Sequence, residues 1–288
     1  MNGNKVLVIG GSGFIGQNIM HYFSCNGTSR TGRQGLIKLD IRDGTQVKKV
    51  LESYEPAVVI NSAGITNVDY CEAHTEEANI INGYCVKSIA DEVENIGATF
   101  VQLSTDYVYS GETGNYAEDD ETVPVNAYGK SKLMGEQFLE DRKCIILRIS
   151  TPYGDNRMKV KDTFLDFLLS NLGSGRTIRV VKDQFTTPTF ALDIPLALEV
   201  LIDKHASGIF NLGSKECISR YEFSLLVAKI FSMNSSLIVP SITAKMNFIA
   251  RRPLRTCMDV SKILKYVEIK DTETNLRHLK SNIIQFHD

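Results

Sequence analysis

The chain has no tryptophan, only seven prolines in 288 residues, and no block of charge of one sign, since 32 Lys and Arg are interspersed with 34 Asp and Glu. A balanced charge without a basic stripe gives no reason to expect nucleic acid or a membrane surface as partner. Long apolar runs are missing too: the opening VLVIGG is far too short for a membrane span or for the core of a secretion signal. The six cysteines, Cys25, Cys71, Cys85, Cys144, Cys217 and Cys257, include no C-x-x-C and no neighbouring histidine at ligand spacing, so no metal site is expected. They read as reduced thiols of a cytoplasmic protein. What is present, 43% apolar and 23% charged residues, is a globular composition that can bury a full core and suits a small diffusible substrate.

Lys5 to Ile9 is a β-branched run that meets glycine at once, and Phe14 to Phe23 then carries helical periodicity. The alternation continues through GLIKLD as a strand, Gln46 to Tyr54 as a helix, PAVVINSAG as a strand and Glu76 to Asn95 as one long helix. It goes on with ATFVQLSTD as a strand, YGKSKLMGEQFLE as a helix and CIILRIS as a strand. Apolar strands without strict alternation, separated by amphipathic helices, predict an α/β fold with a doubly wound parallel sheet of Rossmann type. Beyond Ser150 the rhythm changes, which predicts a smaller, discontinuous α/β portion for substrate. The expected division is 1–150 plus about 186–214 for the dinucleotide-binding part, with 151–185 and 215–288 for the substrate part.

VLVIGGSGFIGQNI places Gly10, Gly13 and Gly16 between a strand and a helix. Missing side chains let a pyrophosphate approach the backbone, and the helix N-terminus beginning at Phe14 and Ile15 offers free N–H groups and a favourable dipole. About 20 residues on, an acid would bind a ribose hydroxyl and an arginine would suit a 2′-phosphate. Arg30 and Arg33 stand there and no acid does, so NADPH is expected, with NADH the alternative. Asp40 and Ile41 follow the next strand on the adenine side, and Ser62, Ala63 and Gly64 end another strand with side chains small enough for close passage of the cofactor.

Tyr128 and Lys132 are i and i+4, so on a helix their Cβ atoms stand roughly 6 Å apart. An adjacent ammonium is expected to draw the tyrosine pKa down from near 10 and make it a usable general acid. Thr105 closes a strand at the C-terminal edge of the sheet, where ligands bind in open α/β folds. Its hydroxyl can hydrogen-bond the oxygen that the tyrosine protonates.

The segments GGSGFIG, STDYVYSG, PVNAYGKSKLMGE, RISTPYG, DQFTTPTFALDI and ARRPLRTCMD, in that order, resemble the extended short-chain dehydrogenase/reductases, and within them the dTDP-4-dehydrorhamnose reductase group. The resemblance covers nearly the whole chain. It implies NADPH-dependent reduction of a 4-keto group on a nucleotide-linked 6-deoxyhexose, with a catalytic triad of Thr105, Tyr128 and Lys132, the last two also touching cofactor. It places Asp106 and Tyr107 beside the sugar, and Gln184, Thr187, Pro188 and Arg252 around the nucleotide sugar. Relatives are monomers or dimers, which leaves a homodimer open, and some bind Mg²⁺ at a dimer contact. One departure stands out: many relatives carry a tryptophan in R-x-S-W-V-Y-G, where this chain has Thr151 and Pro152. Tyr153 is the aromatic expected to replace it. Two other readings stay open, a different sugar-nucleotide epimerase/reductase acting on UDP or GDP sugars, and a non-catalytic NADP-binding regulatory subunit like that of methionine adenosyltransferase.

Overall fold

A computed structural model describes residues 5–156 and 162–285. The expected ranges therefore extend past the described residues at 1–4, 157–161 and 286–288. In chain order the elements begin with β1 (Val6–Ile9), α1 (Phe14–Phe23), β2 (Asn26–Ser29), β3 (Ile37–Lys38), α2 (Gly44–Tyr54) and β4 (Val58–Asn61). Next come α3 (Val68–Ala73), α4 (Thr75–Asn79), α5 (Cys85–Asn95), β5 (Thr99–Thr105), α6 (Ala127–Gln137) and β6 (Cys144–Ile149). The remainder is α7 (Phe164–Gly173), β7 (Ile178–Val181), β8 (Phe185–Thr186), α8 (Asp193–Asp203), β9 (Gly208–Leu212), β10 (Ile218–Ser219), α9 (Arg220–Ile230), β11 (Ile238–Ser241) and α10 (Thr272–Gln285).

Seven strands form one parallel sheet in the order β3-β2-β1-β4-β5-β6-β9. Its inner strands are buried on both faces, which is why they lack polar alternation. Val6 and Val8 of β1 point into a core shared with Ile19 of α1 and Ile194, Leu198 and Leu201 of α8. Leu7 and Ile9 point the other way, onto Val47 and Leu51 of α2 and Val86, Ile89 and Val93 of α5. The chain runs outward in both directions from β1 and β4, and the switch point between them opens a crevice at the strand ends. A second core gathers Leu165 and Leu168 of α7, Ile178 and Val180 of β7, Phe223 and Val227 of α9 and Leu276 of α10. There β7 pairs parallel with β11, and β8 antiparallel with β10.

Four expectations are corrected. NGTS at 26–29, given no element from the sequence, is a strand: Gly27 packs under Met20 and the carbonyl of Val8, where no larger side chain fits, so packing makes the strand and not β propensity. GLIKLD contributes only Ile37–Lys38. The long helix is interrupted at Ile80–Tyr84 by a π turn, where Gly83 presses on Met134 of α6. Finally, Val260, Ile263 and Ile269, expected in the substrate part, pack in the core of the large sheet. Among the described residues no helix is long and apolar enough to cross a membrane.

Candidate active site

Gly10 turns the chain at φ +85°, and the glycines that follow it let α1 start hard against the sheet. A Cβ on Gly10 would lie 2.6 Å from the Ala63 nitrogen, and one on Gly16 would strike the Gly10 carbonyl. Gly13 caps α1 and donates its N–H to the Gly10 oxygen at 3.0 Å. The first-turn amides at Phe14 and Ile15 have no carbonyl partner within the helix, and no acid stands in that turn. The Ser62 hydroxyl donates toward the Ile9 carbonyl at 3.0 Å, and Ala63 N–H is fixed by Asn61 Oδ1 at 3.1 Å. A cleft of about 280 Å³ follows, lined by Gly10, Ser12, Gly13, Ser29, Arg30, Asp40, Ile41, Ser62, Ala63 and Gly64. Glycines that a Cβ would fill, opposite open first-turn amides, fit a pyrophosphate-bearing dinucleotide. Gly16→Ala should cost about 1–3 kcal/mol by overpacking; a lowered urea midpoint and weaker dinucleotide binding by fluorescence titration would show it.

The two arginines part company. Arg30 lines this cleft, whereas Arg33 sits exposed in a 3-10 turn and does not. Its place is taken by Arg42, which sequence reasoning passed over. Arg42 forks onto Asp40 with contacts of 2.5–3.1 Å, and this guanidinium holds the Asp40 carboxyl down at about 2. Asp40 is therefore paired and ionised at the cleft wall.

At the end of β5 the Thr105 hydroxyl meets Tyr128, and Lys132, one turn further along α6, reaches the same strand at Leu103. α6 starts at Asn126, whose Oδ1 accepts the Gly129 N–H at 2.9 Å, while the Ala127 N–H is taken by Glu72 at 2.9 Å. Gly129 has no room for a side chain against the Tyr107 carbonyl, so the helix start is pressed onto the strand end. The Thr105 hydroxyl interacts with Tyr128, and the Tyr107 ring stands edge-on to Tyr128 at 5.8 Å. Lys132 is 8% exposed and donates Nζ to the Leu103 carbonyl at 2.7 Å. Burial pushes the Tyr128 phenol up, offset in part by the Thr105 hydroxyl. The expected depression by Lys132 is corrected: its ammonium is turned onto the β5 backbone and is itself lowered to about 8 by burial, with Glu136 one turn on holding it up.

Asp106 does not offer its carboxylate to the crevice. It is 3% exposed and accepts hydroxyls from Ser150 at 2.6 Å, Thr105 at 3.1 Å and Thr256. Burial raises its pKa against those donors. Tyr153 is likewise corrected: it is 1% exposed and packed between Phe190 and Phe223 in the second core. Thr187 and Pro188 are buried where the chain crosses between the two parts, the Thr187 hydroxyl accepting Met258 N–H and the Pro188 carbonyl accepting Ser214 N–H. These bonds tie the crossing to the residues after β9 and to Met258. Gln184 is held by Thr243 at 3.0 Å and by Arg220 at 3.2 Å. Arg252 pairs with Asp69 at 2.9 Å and covers the Phe248 ring, on the wall of a cleft of about 660 Å³ that runs from Ser110 to Arg255.

Several contributors were not singled out from sequence. Asn82, in the π turn, ties Ile65 to Ser131 of α6. Arg220 reaches Gln184 and Thr151, and acts electrostatically on Tyr107 and Asp106. Thr151, where relatives of the group carry tryptophan, adopts φ +39°, a left-handed conformation that a β-branched residue holds only when its surroundings force it. The cysteine expectation is also corrected, because Cys217 and Cys257 form a disulfide. Cys25, Cys71, Cys85 and Cys144 remain thiols.

Known proteins resemble this chain in sequence and in fold. A probable low-salt glycan biosynthesis reductase, Agl14, of Haloferax volcanii is 35% identical over 79% of this chain and 77% of that protein. Methionine adenosyltransferase 2 subunit beta of Danio rerio is 29% identical over 90% of this chain and 84% of that protein. The crystal structure of dTDP-4-dehydrorhamnose reductase from Bacillus anthracis in complex with NADP superposes with a TM-score of 0.88 at 25% identity, covering 96% of this chain and 98% of that one. A family model described as RmlD substrate binding domain matches residues 4–284. By that match across nearly its whole length, the chain belongs to the RmlD family, the dTDP-4-dehydrorhamnose reductase group of extended short-chain dehydrogenase/reductases.

Proposed function

We propose that this protein is an NADPH-dependent reductase of a nucleotide-linked 4-keto-6-deoxyhexose. The observation that carries this reading is the contact of the Thr105 hydroxyl with the Tyr128 phenol at the open end of β5, with Lys132 anchored on the same strand at Leu103 and a glycine-lined cleft at the sheet's edge. NADPH, when bound, would supply the hydride for the sugar C4 carbon. Tyr128 gives its phenolic proton to the C4 oxygen, so that ketone becomes alcohol. Thr105 orients that carbonyl with its one hydroxyl hydrogen, which Asp106 otherwise accepts, and its contact with the phenol lowers the cost of ionising it. Lys132, an ammonium below about pH 8, adds positive charge beneath the site. Positioning and fixed dipoles of this kind supply most of the acceleration. Arg30 and Arg42 at the cleft wall support a phosphorylated cofactor, though Asp40 already neutralises part of that charge.

The similarity to methionine adenosyltransferase 2 subunit beta supports one competing reading, a dinucleotide-binding subunit that serves a partner protein. The two are separated by incubating the purified protein with NADPH and dTDP-, UDP- or GDP-linked 4-keto-6-deoxyhexoses. Loss of NADPH matched by formation of the 4-hydroxy-6-deoxy sugar is expected with one nucleotide series. No oxidation with any of them, together with tight complex formation with a methionine adenosyltransferase catalytic chain, would overturn the reductase reading.

A further inference from the structure

Three short stretches meet over the end of β5. β8 lies between β10, which pairs Ile218 with Thr186 and Ser219 with Phe185, and residues 254–256. The latter bond to it through Phe185 N to Leu254 O at 2.6 Å and Thr256 N to Phe185 O at 3.0 Å. Cys217 stands just before β10 and Cys257 just after Thr256, and their disulfide closes this unit across 40 residues with the Cα atoms 5.5 Å apart. Each outer stretch acts on Asp106: Thr256 donates its hydroxyl to Oδ2, and the Arg220 charge follows immediately after β10.

Of the three hydroxyls on the Asp106 carboxylate, those of Thr105 and Ser150 come from the end of the large sheet. Among the described residues Thr256 is the donor that reaches it from the far stretch. Asp106 in turn accepts the Thr105 hydroxyl through Oδ1, the same hydroxyl that contacts Tyr128 and receives the Tyr107 N–H at 3.2 Å. A buried carboxylate that loses one donor must turn to recover its solvation, and turning Oδ2 moves Oδ1 with it. Thr105 would follow. Cys257 is buried while Cys217 is exposed, so a reductant reaches the disulfide from the Cys217 side.

We propose that Thr256 is a positioning residue that sets the Thr105 hydroxyl through Asp106, and that the Cys217–Cys257 disulfide is the lock that keeps it in place. A dithiol opens the lock: the S–S bond breaks, each cysteine sulfur gains one electron and one proton, and the dithiol closes to its own disulfide. The pairing of β8 on both sides is untouched by this step, so reduction loosens the stretch without unfolding it. The effect on turnover rests on the reductase reading above; the effect on the strand end does not.

The test is residue-resolved amide exchange at Tyr107 and Tyr109, whose N–H groups are held by Thr105 Oγ1 and the Asp106 carbonyl. It is run on the full chain before and after treatment with dithiothreitol, with thiol alkylation to count opened disulfides. Exchange there should accelerate several-fold on reduction and in oxidised Thr256→Val, and return to the wild-type rate in Thr256→Ser, which keeps the hydroxyl. Cys217→Ser should behave like reduced wild type and show no further response to dithiol. In parallel, kcat should fall in reduced wild type and in Thr256→Val, with KM for NADPH unchanged. Unchanged exchange with both thiols alkylated, or Thr256→Ser as fast as Thr256→Val, would overturn the proposal. If oxidised wild type reduced no 4-keto sugar while exchange still responded, the reductase reading would fall and the lock would stand.

Discussion

Replacing Tyr128 by Phe is expected to cut turnover by roughly 10²–10⁴-fold, the range set by loss of a general acid, with cofactor affinity and folding close to wild type. The half-buried ring keeps its packing against Tyr107 and the start of α6, and only the hydroxyl is lost. Burial raises the phenol, so below its pKa the proton is always present for donation, and the difficulty lies in the phenolate that forms. The Thr105 hydroxyl offsets it directly, whereas the Lys132 ammonium, turned onto the Leu103 carbonyl, adds only a more distant positive charge. Burial lowers Lys132 to about 8, so turnover should decline as pH rises through 8 and that charge is lost. The linkage has the opposite sign for stability. The folded value lies below the ordinary 10.5, so burying Lys132 costs stability below pH 8, and the cost fades between 8 and 10.5. Lys132→Met should remove both pH dependences, which rate profiles and urea titrations across that window would show.

The second large effect concerns stability. Arg148 and Glu136 form an ion pair at 2.6 Å with side chains 2% and 4% exposed. Arg148 also donates to the Tyr109 hydroxyl at 2.7 Å, and Glu136 accepts the Ser104 hydroxyl. The pair thus joins β6 to α6 and to the residue before Thr105. Arg148→Met leaves a carboxylate buried without its partner, and should cost about 3–5 kcal/mol. Glu136→Leu combined with Arg148→Met should recover much of that, since a packed apolar pair can replace a buried ion pair. Chemical denaturation of the single and double variants is the check. A double variant as unstable as Arg148→Met would mean that the network matters through its hydrogen bonds instead of its charge.

The parts of this protein that the sequence makes legible are those governed by local pattern. The glycine turn, the apolar strands β1, β4, β5 and β6, and the i, i+4 pair of Tyr128 and Lys132 all follow from short-range spacing. Non-local contacts decided the rest. β2 is a strand because Gly27 fits under Met20, which no window of NGTS reveals. Tyr153, which the resemblance implies as a replacement for the missing tryptophan, is claimed by the second core. Thr256 touches Asp106 across 150 residues, and Cys217 finds Cys257 across 40. Arg42 and Arg33 differ in sequence only by position, and it is the turn after Gly32 that carries Arg33 away from the cleft and leaves Arg30 and Arg42 beside it.

The central claim is that a proton from Tyr128 and a hydride from the cofactor meet at one sugar carbonyl. It is tested most directly with NADPH deuterated at the transferable nicotinamide position and a dTDP-4-keto-6-deoxyhexose. The account predicts that wild type places deuterium at sugar C4, in step with NADPH consumed, and that Tyr128→Phe does so only at the depressed rate. Deuterium retained in the cofactor with every 4-keto nucleotide sugar, or transfer by Tyr128→Phe as fast as by wild type, would contradict it.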